Sequence, residues 1–366
     1  MKKEIKLKKF FEIRYADPIT SLDLTDNYFC FGSMLGLCQY YIINSSTLIK
    51  LSEKQEEFIS GIKIKNENLY ICIGDWKVYK YQLNPEENIN NINNNNSKQI
   101  PEEIDNYKNE LIHQDNCDKC LTFLANNFLI RNIISFPSKP NDEPITKEVI
   151  FYIKSIFNES DDNDFFGKYK LSNYCVPFDF DGKNYIIIDF IEKDKRIFYV
   201  YDMILKEMKQ NIEIETIKEN KIGHISHLKI IKNDMVFIVQ NYNSCEIRKF
   251  DLTLVKKLNI NCQEILAFDM LFENQENLMD FSNERLVNER DIKYIVLLDI
   301  ECNIILYDYN MDKSEILFNL EKSELGIDND IVDQKFFVFE YPYYIKISPH
   351  YIAITTDYGC ALVQYE

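Results

Sequence analysis

The sequence predicts an all-β chain, and three observations predict it. Apolar residues come in short runs of about five to nine, rich in Ile, Val, Tyr and Phe, with helical periodicity nearly absent. Aromatic residues reach 14%, with 24 Tyr and 25 Phe, which suits pleated, half-buried surfaces. One pattern then recurs along the chain: an apolar strand, a polar turn, a more apolar strand, a tight turn, and a strand ending in an aromatic.

The copies can be taken in order. The first is Ile19–Leu24, Tyr28–Gly32 and Leu37–Ile43. The second is Phe58–Ile64, Leu69–Ile73 and Val78–Tyr81. The third, less regular, is Leu121–Ala125, Phe128–Phe136 and Val149–Phe157. The fourth is Val176–Phe180, Tyr185–Ile191 and Ile197–Met203. The fifth is His224–Ile231, Met235–Gln240 and Cys245–Leu252. The sixth is Ile265–Phe272, Tyr294–Ile300 and Asn303–Tyr309. The last is Tyr344–Ser348, Tyr351–Thr355 and Ala361–Tyr365. A fourth strand follows most copies, for example Thr47–Leu51, Ile212–Ile217, Leu254–Ile260 and Glu315–Leu320.

Aromatic anchors close the third strands at Tyr41, Tyr81, Tyr152, Tyr201, Phe250, Tyr307 and Tyr365. They recur every ~54 residues on average, against about 40–45 for a compact four-stranded blade. Loop insertions account for the difference. The last copy stops at Glu366 without a fourth strand, and the first is preceded by a spare one, Leu7–Tyr15. Pairing the two would close a ring and remove its exposed edges. The expected architecture is therefore one domain over 1–366, a seven-bladed β-propeller closed by its N-terminal strand. The blade number rests on counting and leaves six or eight open, and a two-domain β-sandwich is the structural alternative.

The residues also carry a family resemblance. Gly32-Ser33-Met34-Leu35-Gly36-Leu37-Cys38-Gln39-Tyr40-Tyr41 resembles the GSxDGTIxLW turn and strand of WD40 repeats, with Leu35 for the usual Asp and Tyr41 for Trp. Gly223-His224, followed by Phe250-Asp251, resembles the GH…WD pair. Tyr201-Asp202, Tyr307-Asp308 and Tyr365-Glu366 look like degenerate WD dipeptides, and Asp357-Tyr358-Gly359 echoes the turn before the third strand. No copy holds the complete Asp-His-Ser/Thr-Trp set. The resemblance implies a propeller that binds proteins, with His224 as a structural histidine of its blade.

Composition excludes several classes. The chain has only 9 glycines, where average usage would give roughly 26. None forms a GxGxxG, a GxxxxGK[ST] or a GxSxG, so dinucleotide fingerprints, P-loops and nucleophile elbows are absent. The formal net charge of -17 disfavours nucleic acid as a direct partner. The N-terminal cluster Lys2, Lys3, Lys6, Lys8, Lys9 and Arg14 contains Glu4, lacks Ser and runs into a strand, unlike a targeting arm. No apolar run approaches the ~18 residues of a membrane span. Most of the 10 cysteines sit in apolar strand-like runs, which points to free thiols and a reducing compartment, cytosol or nucleus.

Two insertions stand out. The Asn-rich stretch 84–101 is low in complexity and reads as a loop. The segment 274–290 is polar and could form a short helix. A Pro-containing loop, Pro137–Pro144, separates strands in the third copy.

Candidate chemistry is sparse. His113 with Cys117 and Cys120 supplies at most three zinc ligands, and a structural site needs four. A redox CxxC would need a βαβ context. The expected reading is a turn with two incidental cysteines. Glu159, Asp161, Asp162 and Asp164 begin like a calcium loop, but Phe166 takes the next ligand position, leaving a solvated loop. His224 and His227 are three apart in a strand and point to opposite faces. With His350 the remaining histidine, no HExxH exists, and no catalytic residue, metal or cofactor is expected.

The more informative residues are apolar ones at the tight turns between second and third strands. In a WD40-like ring these turns share one face, and here they carry Met34, Leu35, Trp76, Tyr242 and Tyr358. Aromatic residues and Met are enriched in interface cores. The expected function is a non-enzymatic scaffold or adaptor, a subunit of a larger complex, binding protein or peptide partners through that face. Three alternatives stay open: the non-catalytic subunit of an enzyme such as an RNA-modifying complex, a catalytic propeller using its channel, and a trafficking subunit.

Overall fold

A computed structural model describes residues 4–13, 17–52, 58–65, 67–74, 77–83, 102–106, 117–125, 128–135, 147–155, 165–171, 174–180, 184–192, 195–202, 207–215, 225–232, 234–273, 292–320, 343–356 and 359–365. Every regular element among them is a strand. β1 (Ile5–Glu12) leads the chain. Next come β2 (Ile19–Leu24), β3 (Tyr28–Ser33), β4 (Cys38–Ile42) and β5 (Thr47–Ser52), then β6 (Ile59–Lys65), β7 (Asn68–Ile73), β8 (Lys77–Gln82) and β9 (Glu102–Asn106). They are followed by β10 (Cys117–Ala125), β11 (Phe128–Ser135), β12 (Lys147–Ser155) and β13 (Phe165–Leu171), and by β14 (Tyr174–Phe180), β15 (Asn184–Glu192), β16 (Lys195–Asp202) and β17 (Glu207–Glu215). β18 (Ile225–Lys232), β19 (Met235–Gln240), β20 (Ser244–Lys249) and β21 (Leu254–Lys257) come next, then β22 (Ile265–Phe272), β23 (Ile292–Asp299), β24 (Asn303–Asp308) and β25 (Lys313–Asn319). β26 (Ile345–Ile347), β27 (Tyr351–Thr356) and β28 (Gly359–Tyr365) end it.

From β2 onward, each consecutive group of four strands is one antiparallel sheet, giving sheets 1 to 6. Sheet 7 contains β26, β27 and β28, and takes β1 as its fourth strand. That pairing runs from Ile5 opposite Tyr365 to Glu12 opposite Gly359. The spare N-terminal strand and the missing C-terminal one do meet.

Why the strands are apolar on both sides follows from the packing. β3, β4 and β19 are buried almost end to end, because a sheet with a neighbour on each face has no solvent side. The apolar clusters bear this out. One joins Tyr40 and Ile42 of sheet 1 to Ile62, Leu69 and Ile71 of sheet 2. Others join sheets 4 and 5, 5 and 6, and 6 and 7. A fifth joins sheet 7 to sheet 1 through Phe11 of β1, whose ring lies 5.3 Å from Phe29, 5.5 Å from Phe31 and 5.2 Å from Tyr41. Across the same seam, His350 sits on Asp26, with Nδ1 3.1 Å from Oδ2.

Two glycines are required by close approach. A Cβ on Gly32 would lie 2.4 Å from Cγ2 of Ile59 in sheet 2, and one on Gly359 would lie 1.9 Å from the Phe11 carbonyl oxygen. Gly36 and Gly74 take positive φ of 80° and 56° at turns, and many other turns manage without glycine. Asp234, Asn241, Tyr242, Leu252 and Cys302 all take positive φ. Asp and Asn tolerate this comparatively well, and the others do so at some strain.

The structure corrects parts of the sequence reading. β9 and β13 are fourth strands that were not expected. The strand expected over Cys245–Leu252 ends at Lys249, and Phe250 is buried in the turn that follows. Cys117 and Cys120 lie in β10 rather than in a turn, opposite Ser135 and Ile133, with a bulge between Cys117 and Lys119. The cysteines Cys30, Cys38, Cys72, Cys245, Cys302 and Cys360 are free and buried. His113, the acidic run 159–164, the loop 137–144, His224 and the insertions 84–101 and 274–290 lie outside the described residues.

Candidate functional site

The first strand of several sheets repeats one hexapeptide. It reads Ile19-Thr20-Ser21-Leu22-Asp23-Leu24, Ile59-Ser60-Gly61-Ile62-Lys63-Ile64, Ile225-Ser226-His227-Leu228-Lys229-Ile230 and Ile265-Leu266-Ala267-Phe268-Asp269-Met270. Each copy has a bulge at its second residue. The bulge turns Thr20 Oγ1 toward the next sheet, where it donates to the Ile59 carbonyl at 2.5 Å. His227, beside the bulge, contacts Ser226 Oγ through Nδ1 at 3.0 Å and the Leu266 carbonyl through Nε2 at 3.2 Å. It is held in the fold rather than set up as a ligand.

The fifth position carries charge. Asp23 accepts from Ile64 N at 2.8 Å and pairs with Lys63 at 3.3 Å. Asp179 of sheet 4 accepts from Ile230 N at 2.6 Å. Asp269 accepts from Ile347 N at 3.2 Å, and its Oδ1 holds both Lys229 at 3.2 Å and Lys346 at 3.5 Å. The Lys63, Lys229 and Lys346 side chains are 35%, 30% and 31% exposed, against 6% for Asp23 and 9% for Asp269. The carboxylates are thus committed to the neighbouring backbone, and the lysine side chains are the less buried partners of these pairs.

Charge states follow. Burial alone would raise the Asp269 carboxyl, but Lys346, Lys229 and the Ile347 N–H outweigh it and hold it at about 2. Asp269 also raises Lys346 against the opposing effect of burial, with Asp23 and Asp179 adding to it. A carboxyl held so low is a poor general base near neutral pH. This belt was missed in the sequence. Its signal was there, in the alternating Asp or Lys flanked by aliphatic residues, but each strand was read for its apolar run alone.

Three of the expected binding residues, Met34, Leu35 and Tyr242, sit at hairpin tips. Met34 and Leu35, between β3 and β4, are 45% and 49% exposed, and Tyr242, between β19 and β20, is 43% exposed. Trp76 and Tyr358 lie outside the described residues. The tips are tied down from beneath. Leu35 N donates to Asp17 Oδ1 at 2.7 Å, and Met34 N to the Pro18 carbonyl at 2.9 Å. Ile265 N donates to the Tyr242 carbonyl at 2.7 Å, which fixes one sheet's tip to the next sheet's first strand. Asn241 and Tyr242 take φ of 49° and 67° within a three-residue loop, 241–243, closed by the Gln240–Ser244 pair. Here the second position is a tyrosine presented to solvent.

A second set of exposed apolar side chains was not anticipated. Leu254 and Val255 on β21, Ile316 on β25 and Met311 just before β25 lie on or beside the last strands of sheets 5 and 6. Lys256 Nζ bridges this region to Asp312 at 3.2 Å and lies 4.4 Å from the Tyr309 ring centroid. The aromatic–Asp dipeptides have a local explanation. Tyr307 is buried while Asp308 caps the turn into β25 through Asn310 N and Met311 N. Phe250 and Asp251 do the same through Thr253 N.

Among the described residues, no group of three or more His, Cys, Asp or Glu is placed to hold a metal ion. No described helix is long and apolar enough to cross a membrane. No family model and no curated protein matches the chain. Among solved structures, the crystal structure of the computationally designed Ika8 protein is similar over the whole of both chains, with a TM-score of 0.54 and 8% identity. At that identity the likeness concerns the fold alone.

Proposed function

We propose that the seven sheets form one closed, seven-bladed, WD40-like propeller, and that the chain is a non-enzymatic scaffold or adaptor within a larger complex. Its face of second-to-third-strand turns binds protein or peptide partners. The observation that carries the reading is the set of exposed apolar tips, Met34, Leu35 and Tyr242, on equivalent turns of sheets 1 and 5. Their backbones are already fixed by hydrogen bonds, so docking would order little further chain. Cytosol or nucleus is the compartment that suits the buried free thiols.

Affinity purification tests it. Met34→Ser with Leu35→Ser and Tyr242→Ser is expected to leave the fold and far-ultraviolet spectrum unchanged and to abolish co-purification of partners. Undiminished recovery of the same partners would remove this face from the account.

A further inference from the structure

The face is not chemically uniform. Around Tyr242 three segments come together: 240–245 at the β19–β20 turn, 261–266 leading into β22, and 299–303 at the β23–β24 turn. Hydrogen bonds establish their contiguity. The Tyr242 carbonyl accepts from Ile265 N at 2.7 Å, and the Glu264 carbonyl accepts from Ile300 N at 2.8 Å. Gln263 Nε2 donates to Glu301 Oε1 at 2.5 Å.

These segments contain six acidic or amide-bearing exposed side chains, Asn241, Asn243, Asn261, Gln263, Glu264 and Glu301, and no lysine or arginine. Two further carboxylates are nearby but turned inward. Asp299 is buried and accepts from Glu301 N and Asn303 N. Glu246 is buried against Arg248 at 2.7 Å. What these segments present at the surface is one exposed aromatic ring, two carboxylates and four amides.

We infer that this corner of the face receives a cationic, extended peptide segment of the partner, its lysine or arginine side chains lying between Glu264 and Glu301 and over the Tyr242 ring. The inference rests on the proposal that the turn face is a docking surface. Charge complementarity selects the occupant. A carboxylate pair on segments that carry no lysine or arginine of their own repels acidic partners and steers basic ones, and an exposed tyrosine ring adds a face for a guanidinium or ammonium. The whole-chain charge of -17 acts in the same direction at longer range. The exposed Met34 and Leu35 on sheet 1 would then serve apolar side chains of the same partner.

The test uses the full chain and synthetic peptides of equal apolar content that carry arginine, glutamate or serine at the same positions. Fluorescence anisotropy is expected to show the arginine peptide binding at least ~10-fold tighter than the glutamate peptide at low salt, with the gap narrowing as salt rises. Glu264→Lys with Glu301→Lys should erase that preference without changing the melting temperature. Tyr242→Ala should weaken the arginine peptide, and Tyr242→Phe should retain it. Equal binding of the arginine and glutamate peptides, or a preference that survives the double charge reversal, overturns the inference. Partner capture that depends on Met34 and Leu35 but ignores the charge reversal also overturns it, while leaving the scaffold reading intact.

Discussion

Asp269 shows how much one side chain can hold. It joins three sheets, taking Lys229 from sheet 5, and Lys346 and the Ile347 N–H from sheet 7, onto a carboxylate in sheet 6. Its carboxyl is held at about 2, below the roughly 3.9 of an unfolded chain. A depressed carboxyl stabilises the fold above about pH 4, and that contribution is lost as pH falls toward 2. Asp269→Asn is therefore expected to cost about 2 kcal/mol at neutral pH, measured by urea unfolding. The gap between variant and natural chain should close as pH drops from about 4 to 2. A gap that stays constant through that window would mean the carboxylate charge is not what joins these sheets.

At the scale of elements, the strands were legible because their signal is local. Met235–Gln240 and Ile265–Phe272 are apolar runs bounded by turn residues, and their limits coincide with β19 and β22. The fourth strands were harder. β9, Glu102–Asn106, carries a single aliphatic residue, Ile104, and is paired on one side only, so it leaves no apolar run to read. The first-strand hexapeptide was missed for a different reason: its meaning lies between sheets, where Asp23 meets Ile64 and Asp269 meets Ile347. The exposed residues Leu254, Val255, Met311 and Ile316 were invisible because sequence does not tell a last strand's two faces apart. The β1–β28 contact allows a sharper prediction. Gly359→Ala would drive a Cβ into the Phe11 carbonyl, at a backbone φ of 149°. The expected cost is about 2–4 kcal/mol, seen as a lower urea midpoint with an unchanged slope. A loss below about 0.5 kcal/mol would mean that β1 does not lie as close to β28 as described.

For the whole molecule, the account turns on β1. Its role in the proposed ring is to be the fourth strand of sheet 7 while the chain that follows it enters sheet 1. Antiparallel pairing places Ile5 beside Tyr365, so the two chain ends of that hairpin are already adjacent. A circular permutant tests this most directly. Residues 1–13 would be moved behind Tyr365 through a short turn, and the chain would begin at Asp17. The account predicts a chain of unchanged hydrodynamic radius and far-ultraviolet spectrum that still retains partners. It should melt at a lower temperature, because the covalent tie between sheets 7 and 1 is gone while the packing of Phe11 on Phe29, Phe31 and Tyr41 remains. A permutant that fails to fold, or that assembles through open sheet edges into larger species, would contradict closure by β1 and with it the propeller.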